Sequence, residues 1–234
     1  MSGKEKGPLT GLQQEIINTL KEIEESKELY FTGGSALSAY YLHHRLSEDL
    51  DFFTPAEDMI QLISRKLLQS LEKKGIKVEM VRNFKSFVEM ITSRGNESMK
   101  IQIALDSPYR LERTKEIDGL IVDSLMDIAA GKLLALFGRA EERDFVDIYF
   151  LIKEGKFTLD ELVNKASKKD PGMDKYYLAI AFEQVRELPD KAEDLRLKLL
   201  KPLDMKDLKR LFIEGAVKLI EEAKKEKNRD MDNV

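Results

Sequence analysis

Two adjacent glycines, Gly33 and Gly34, stand between a β-prone run and a helical one, and this junction constrains the chain more than any other stretch. The run Leu29 to Thr32 reaches a point where the backbone can turn sharply, with no side chain between it and an incoming group. Ser35 opens a helix, and its N–H groups with those of the glycine pair form an anion-binding end suited to phosphate. Helical spacing carries on through Ala36, Leu37, Ala39, Tyr40 and Leu42 to His43. A second strand, Asp49 to Phe53, then alternates strictly: Asp49 and Asp51 share one face, Leu50 and Phe52 the other. Neighbouring carboxylates repel unless a cation sits between them, and a divalent metal with oxygen ligands meets that need.

Composition removes the competing chemistries. With no cysteine, disulfides, thiolate zinc sites and a cysteine nucleophile are all excluded, and two histidines are too few for a histidine-rich metal centre. A chain of 234 residues with 42% hydrophobic content has room for one sizeable α/β domain with a helical extension, or for two small domains. The formal charge of −4 argues against indiscriminate nucleic-acid binding while leaving a local basic groove open. The sequence contains no membrane-length apolar run, and its first residues lack the apolar segment of a signal peptide. No membrane partner and a cytoplasmic location are therefore expected.

Along the chain, helical period is read over Pro8 to Glu25 and again over Glu57 to Lys74, which stops at Gly75. The period then becomes two: Ile76 to Val81, Ser86 to Ile91 and Met99 to Leu105 are expected strands, with a further short strand at Leu120 to Val122. Ser124-x-x-Asp127 opens one long helix running to about Lys153, and helices are expected at Thr158, Asp174 to Leu188, Asp190 to Leu200 and Met205 to Lys227. The division expected is an α/β core over 1–123 and a helical region over 124–234.

The long helix carries a pattern of its own. At about 100° per residue, Arg139 and Arg143 fall about 20° to either side of Lys132, making one cationic stripe. Asp147 lies about 60° from Lys132 and Asp144 about 120°. A stripe of this kind either faces an anion or is a solvated face with an Arg143–Asp147 pair. Arg45 and Ser47, between helix and strand, either border the phosphates or form a simple loop.

Gly33-Gly34-Ser35 followed by Arg45-x-Ser47-x-Asp49-x-Asp51-Phe52 resembles the nucleotidyltransferase superfamily typified by DNA polymerase β, and within it the AbiEii/AbiGii family of abortive-infection toxins. Lys132, Arg139 and Arg143-Asp144-x-x-Asp147-Ile148 resemble the second signature of that family, so the likeness spans roughly residues 28 to 152. It implies an α/β fold, a mixed sheet with packed helices followed by a C-terminal helical bundle whose first long helix completes the active site. It also implies metal-dependent transfer of a nucleotidyl group from an NTP, with Mg²⁺ or Mn²⁺ on Asp49 and Asp51. Gly33, Gly34, Ser35, Arg45, Ser47, Lys132, Arg139 and Arg143 would bind the nucleotide, and Asp144 or Asp147 would orient the basic residues or the acceptor. The superfamily supplies a third carboxylate from a later strand; here Gln102 occupies the outward position and Asp106, just past the strand end, is the substitute. The acceptor implied is RNA, such as a tRNA end, or a protein, with a cognate antitoxin as partner. A nucleotide-binding or partner-binding module without catalysis, or transfer to a small molecule, are the alternatives.

Overall fold

The computed structural model describes residues 8–232, which fall into two compact units, one ending at Ile128 and the other beginning at Ala129. In the first, α1 (Gly11–Lys21) starts at a reciprocal cap: the Thr10 hydroxyl accepts from the Gln13 N–H, and the Gln13 side chain accepts from the Thr10 N–H. The expected helix over Pro8 to Glu25 is shorter than its apolar pattern, because the chain tightens into a 3₁₀ turn over Glu24–Glu28. Then follow β1 (Tyr30–Thr32), α2 (Gly33–Leu37), a π-helical turn (Ser38–Leu42), β2 (Asp49–Thr54) and α3 (Glu57–Lys73). A meander of β3 (Lys77–Phe84), β4 (Phe87–Arg94) and β5 (Glu97–Leu105) comes next, followed by the hairpin β6 (Lys115–Ile117) and β7 (Leu120–Val122). The three meander strands are longer than their alternation indicated, because the turns at Lys85-Ser86 and Gly95-Asn96 take only two residues each. The hairpin strand β6 carried no apolar signal.

The seven strands form one mixed sheet in the order β3-β4-β5-β2-β1-β7-β6. β2 runs antiparallel to β1 and parallel to β5, which places the start of β2 at the centre of the sheet. Leu50, Phe52, Phe31, Ile101, Ile103, Val88 and Met90 are buried on one face, where Ile60, Ile63, Leu67 and Leu71 of α3 complete the core. The outer strand β3 shifts register between Met80 and Arg82.

The helix expected to run from Ser124 to Lys153 is two helices, α4 (Leu125–Arg139) and α5 (Glu142–Lys153), separated at Ala140, whose φ of 48° is left-handed. The second unit continues with α6 (Leu159–Lys169), α7 (Lys175–Glu183) and α8 (Met205–Asp232). Phe212 of α8 packs edge-on against both Phe145 and Phe182, at 4.9 and 5.1 Å between ring centres. The helix expected over Asp190 to Leu200 is only a 3₁₀ turn at Ala192–Asp194. The Arg196 N–H donates to a Glu142 side-chain oxygen at 3.0 Å in place of a helical bond. No helix among the described residues is long and apolar enough to cross a membrane.

Candidate functional site

The glycine pair closes against the aspartate strand. Gly33 has a φ of +71°, and a Cβ built on it would sit 2.2 Å from Asp51 Oδ2. Only glycine satisfies both the left-handed backbone and this approach. Thr32 pairs with Asp51 across β1 and β2, so the turn begins in the same row as the second aspartate. The Ser35 hydroxyl donates to the Asp49 backbone carbonyl and that of Ser38 to the Arg45 carbonyl, stapling the helix start to the strand it precedes. Ser35 thus has only its backbone N–H to offer a phosphate. Thr32 supplies no side-chain cap, leaving the first N–H groups of α2 uncapped by it. Arg45 is 3% exposed and donates to the Leu46 carbonyl at 3.0 Å, while the Ser47 carbonyl accepts from Gln13 Nε2 at 2.6 Å. The Arg45 side chain is thus buried, while Ser47 is half-buried.

Asp49 and Asp51 share the half-exposed face of β2, and Lys100 Nζ of β5 lies 3.4 Å from Asp49 Oδ2. Next to Asp51 the register places Gln102, and next to Gln102 it places Glu89 of β4. Asp106 lies elsewhere. It is four residues beyond the position opposite Asp51, about 13 Å along the strand direction. There the Tyr30 hydroxyl donates to it and its N–H donates to the Thr54 carbonyl at 2.9 Å. Asp106, expected as a third metal ligand, thus lies beyond the row of the aspartate pair, against Tyr30. Among the described residues no three His, Cys, Asp or Glu side chains are gathered closely enough to hold a metal. The aspartate pair nonetheless fits Mg²⁺, which is commonly held by one or two carboxylates with substrate phosphates and water completing its shell. Both side chains are hard oxygen donors, accessible beside a bare glycine Cα.

A buried polar network that sequence reasoning missed adjoins the turn. The Thr32 hydroxyl donates to Asp123 Oδ2 at 2.7 Å, and Arg110 pairs with the other Asp123 oxygen while lying 4.3 Å over the Tyr30 ring. Asp127 accepts from the Leu111 and Glu112 N–H groups at 3.1 and 3.0 Å, fixing the loop that carries Arg110. Ser124-x-x-Asp127 was legible as a cap, and Ser124 does accept the Asp127 N–H at 2.9 Å; the loop it anchors had no signal. Burial, reinforced by the adjacent Asp106, pushes the Tyr30 phenol far above its ordinary value. Burial raises that of Tyr41, whose hydroxyl donates to the Asp123 carbonyl at 2.6 Å, to about 12.

In the second unit, Lys132 is 7% exposed and its Nζ lies 2.7 Å from Asp147 Oδ2 and 4.0 Å from Asp144. Arg139 binds both oxygens of Asp144, at 2.9 and 3.0 Å, and both aspartates are fully buried. Arg143 lies past the break at Ala140, on α5, with Nε 2.8 Å from Glu141. The helix break interrupts the expected stripe, and the pairs seen here are a buried one, Lys132–Asp147, and one between an exposed Arg139 and the buried Asp144.

A family model described as nucleotidyl transferase AbiEii toxin, type IV toxin–antitoxin system, matches residues 16–224. An uncharacterised protein of Aquifex aeolicus is 25% identical over 179 residues, 75% of this chain and 84% of its own length. Among solved structures, a Helicobacter pylori protein proposed to be a nucleotidyltransferase superposes with a TM-score of 0.59 at 20% identity, covering 92% of this chain and 94% of its own. The Helicobacter pylori protein JHP933 gives 0.56 at 19% identity, with 93% of each chain covered. These two share the fold, a mixed sheet with packed helices and a helical C-terminal part.

Proposed function

The chain belongs to the AbiEii nucleotidyltransferase toxin family, and on that premise we propose that it transfers a nucleotidyl group from an NTP to an RNA or protein acceptor in a metal-dependent reaction. The observation that carries this reading is the contact between Gly33 and Asp51, which builds a bare phosphate-approach turn and a carboxylate pair as one unit. In the reaction an acceptor hydroxyl oxygen forms a bond to the α-phosphorus while the bond to the pyrophosphate oxygen breaks, and the acceptor proton passes to a base or to water. Asp49 and Asp51 would hold Mg²⁺ or Mn²⁺. That ion, when bound, would offset the charge on the phosphates and the leaving group. The N–H groups of Gly33, Gly34 and Ser35 are proposed to receive phosphate oxygens. In the second unit, Lys132 is proposed for triphosphate recognition with Asp147 orienting its ammonium, while Asp144 holds Arg139. Arg45 and Ser47 of the first unit and Arg143 of the second are proposed as further nucleotide-binding residues. The cellular role that follows is a cytoplasmic toxin with a cognate antitoxin, and a tRNA end is one RNA acceptor consistent with it.

The lack of a three-acid cluster among the described residues favours a second reading, a nucleotide-binding module that does no chemistry. Incubation with each labelled NTP, Mg²⁺ or Mn²⁺, and total RNA or total protein separates the two. Label is expected to enter a macromolecule with the native chain, and Asp49→Ala or Asp51→Ala should lower incorporation at least a hundredfold. NTP binding without incorporation into any acceptor would favour the second reading, and undiminished incorporation by both variants would remove the aspartates from the site.

A further inference from the structure

Resting on the assignment of Asp49 and Asp51 as cation ligands, we propose that Glu89 is a positioning residue that presents the Gln102 amide oxygen beside Asp51 as a further, neutral donor. The register aligns Glu89 of β4, Gln102 of β5 and Asp51 of β2 in one row on one face of the sheet. Gln102 Nε2 donates to Glu89 Oε2 at 2.7 Å, and Glu89 is only 9% exposed. A carboxylate accepts and does not donate, so Glu89 selects the NH₂ end of the amide. Because the amide is planar and Gln102 lies between β4 and β2, its oxygen is on the branch turned to the Asp51 side. The buried charge of Glu89 has its own partner in Arg82, Nε to Oε1 3.9 Å, on the outer strand.

The arrangement has a chemical consequence. A third carboxylate directly beside Asp51 would add like-charge repulsion to the aspartate pair, whose Asp49 lies 3.4 Å from Lys100 Nζ. An amide oxygen supplies a hard donor without that charge. The site then holds a free divalent cation weakly and one already carried by a nucleoside triphosphate well, because the phosphates bring the missing negative charge.

Mn²⁺ binding to the full chain, read from the electron paramagnetic resonance signal of free Mn²⁺ with and without a non-hydrolysable NTP, tests the proposal. Glu89→Gln and Gln102→Leu are each expected to weaken Mn²⁺ binding in the presence of nucleotide about tenfold. The double variant should be no weaker than Gln102→Leu alone, since Glu89 acts only through that amide. Wild-type Mn²⁺ affinity in Glu89→Gln would overturn the proposal, including the case in which that variant lowers only the metal-free unfolding midpoint. Fully additive losses in the double variant would overturn it too. Asp51→Asn keeps the two levels apart. If it loses Mn²⁺ while Glu89→Gln does not, only the positioning role fails; if it retains Mn²⁺, the cation assignment itself fails and this inference with it.

Discussion

At the scale of the residue, the sensitive glycine is Gly33. A glycine pair at the end of a strand was legible in the sequence, and Gly34 was as good a candidate for the close approach. Which of the two is left-handed depends on where β1 stops, and it stops at Thr32. Gly33→Ala combines a left-handed cost of about 1–2 kcal/mol with a Cβ against Asp51. It should reduce the thermal shift produced by Mn²⁺ and NTP to less than a third of its wild-type size. Gly75→Ala is the control: its φ of +75° is equally left-handed, but nothing lies within 4 Å of the added Cβ. It should lower stability by about 1 kcal/mol and leave the ligand-induced shift unchanged. Equal ligand shifts in the two variants would make Gly33 a turn residue and nothing more. Glu89 was illegible for a related reason. Its place beside Gln102 is set by the register of β4 on β5, which a two-residue turn at Gly95-Asn96 fixes and alternation alone does not.

At the scale of the element, the break between α4 and α5 decides which cations belong together. Ala140 is a good helix former, so propensity reads straight through it, and Gly138 looked like the weaker point. The chain nevertheless turns left-handed at Ala140 after its N–H closes on the Leu136 carbonyl at 2.9 Å. Helical arithmetic from Lys132 holds as far as Arg139 and fails for Arg143, Asp144 and Asp147, which take their phase from α5. Ala140→Gly should relieve the left-handed strain and raise stability by about 1 kcal/mol, measured by chemical denaturation, while Ala140→Val should lower it by at least as much. A destabilised glycine variant would show that the strain is compensated elsewhere. The absent helix at Asp190 to Leu200 has the same lesson. Its helix-compatible composition does not prevail there, and the Arg196 N–H is satisfied by Glu142 of α5 instead of by its own turn.

At the scale of the whole molecule, the order of most strands and helices and the helical C-terminal part were readable from period and turn chemistry, and the mixed sheet was implied by the family resemblance. Apart from the hairpin of β4 and β5, strand pairing was not, because β2 lies between β5 and β1 through contacts distant in sequence. Both units hold tyrosines whose phenols are raised: Tyr30, Tyr40 and Tyr41 in the first, and Tyr149, pushed up to about 12 by burial and by its bond to Asp207, in the second. A phenol raised in the folded state contributes stability that is fully present below the unfolded value of about 10 and is lost as pH rises through the folded value. The unfolding midpoint should therefore fall between about pH 10 and pH 12, and less steeply in Tyr41→Phe; an identical alkaline slope in that variant would remove Tyr41 from the cause. The rims of the sheet carry a different consequence. On one side β3 is bulged between Met80 and Arg82, and on the other β6 has only three residues, Lys115–Ile117. The bulge interrupts the eight-residue rim strand and the opposite rim is short, two features that discourage another chain from adding to these edges and starting a fibril.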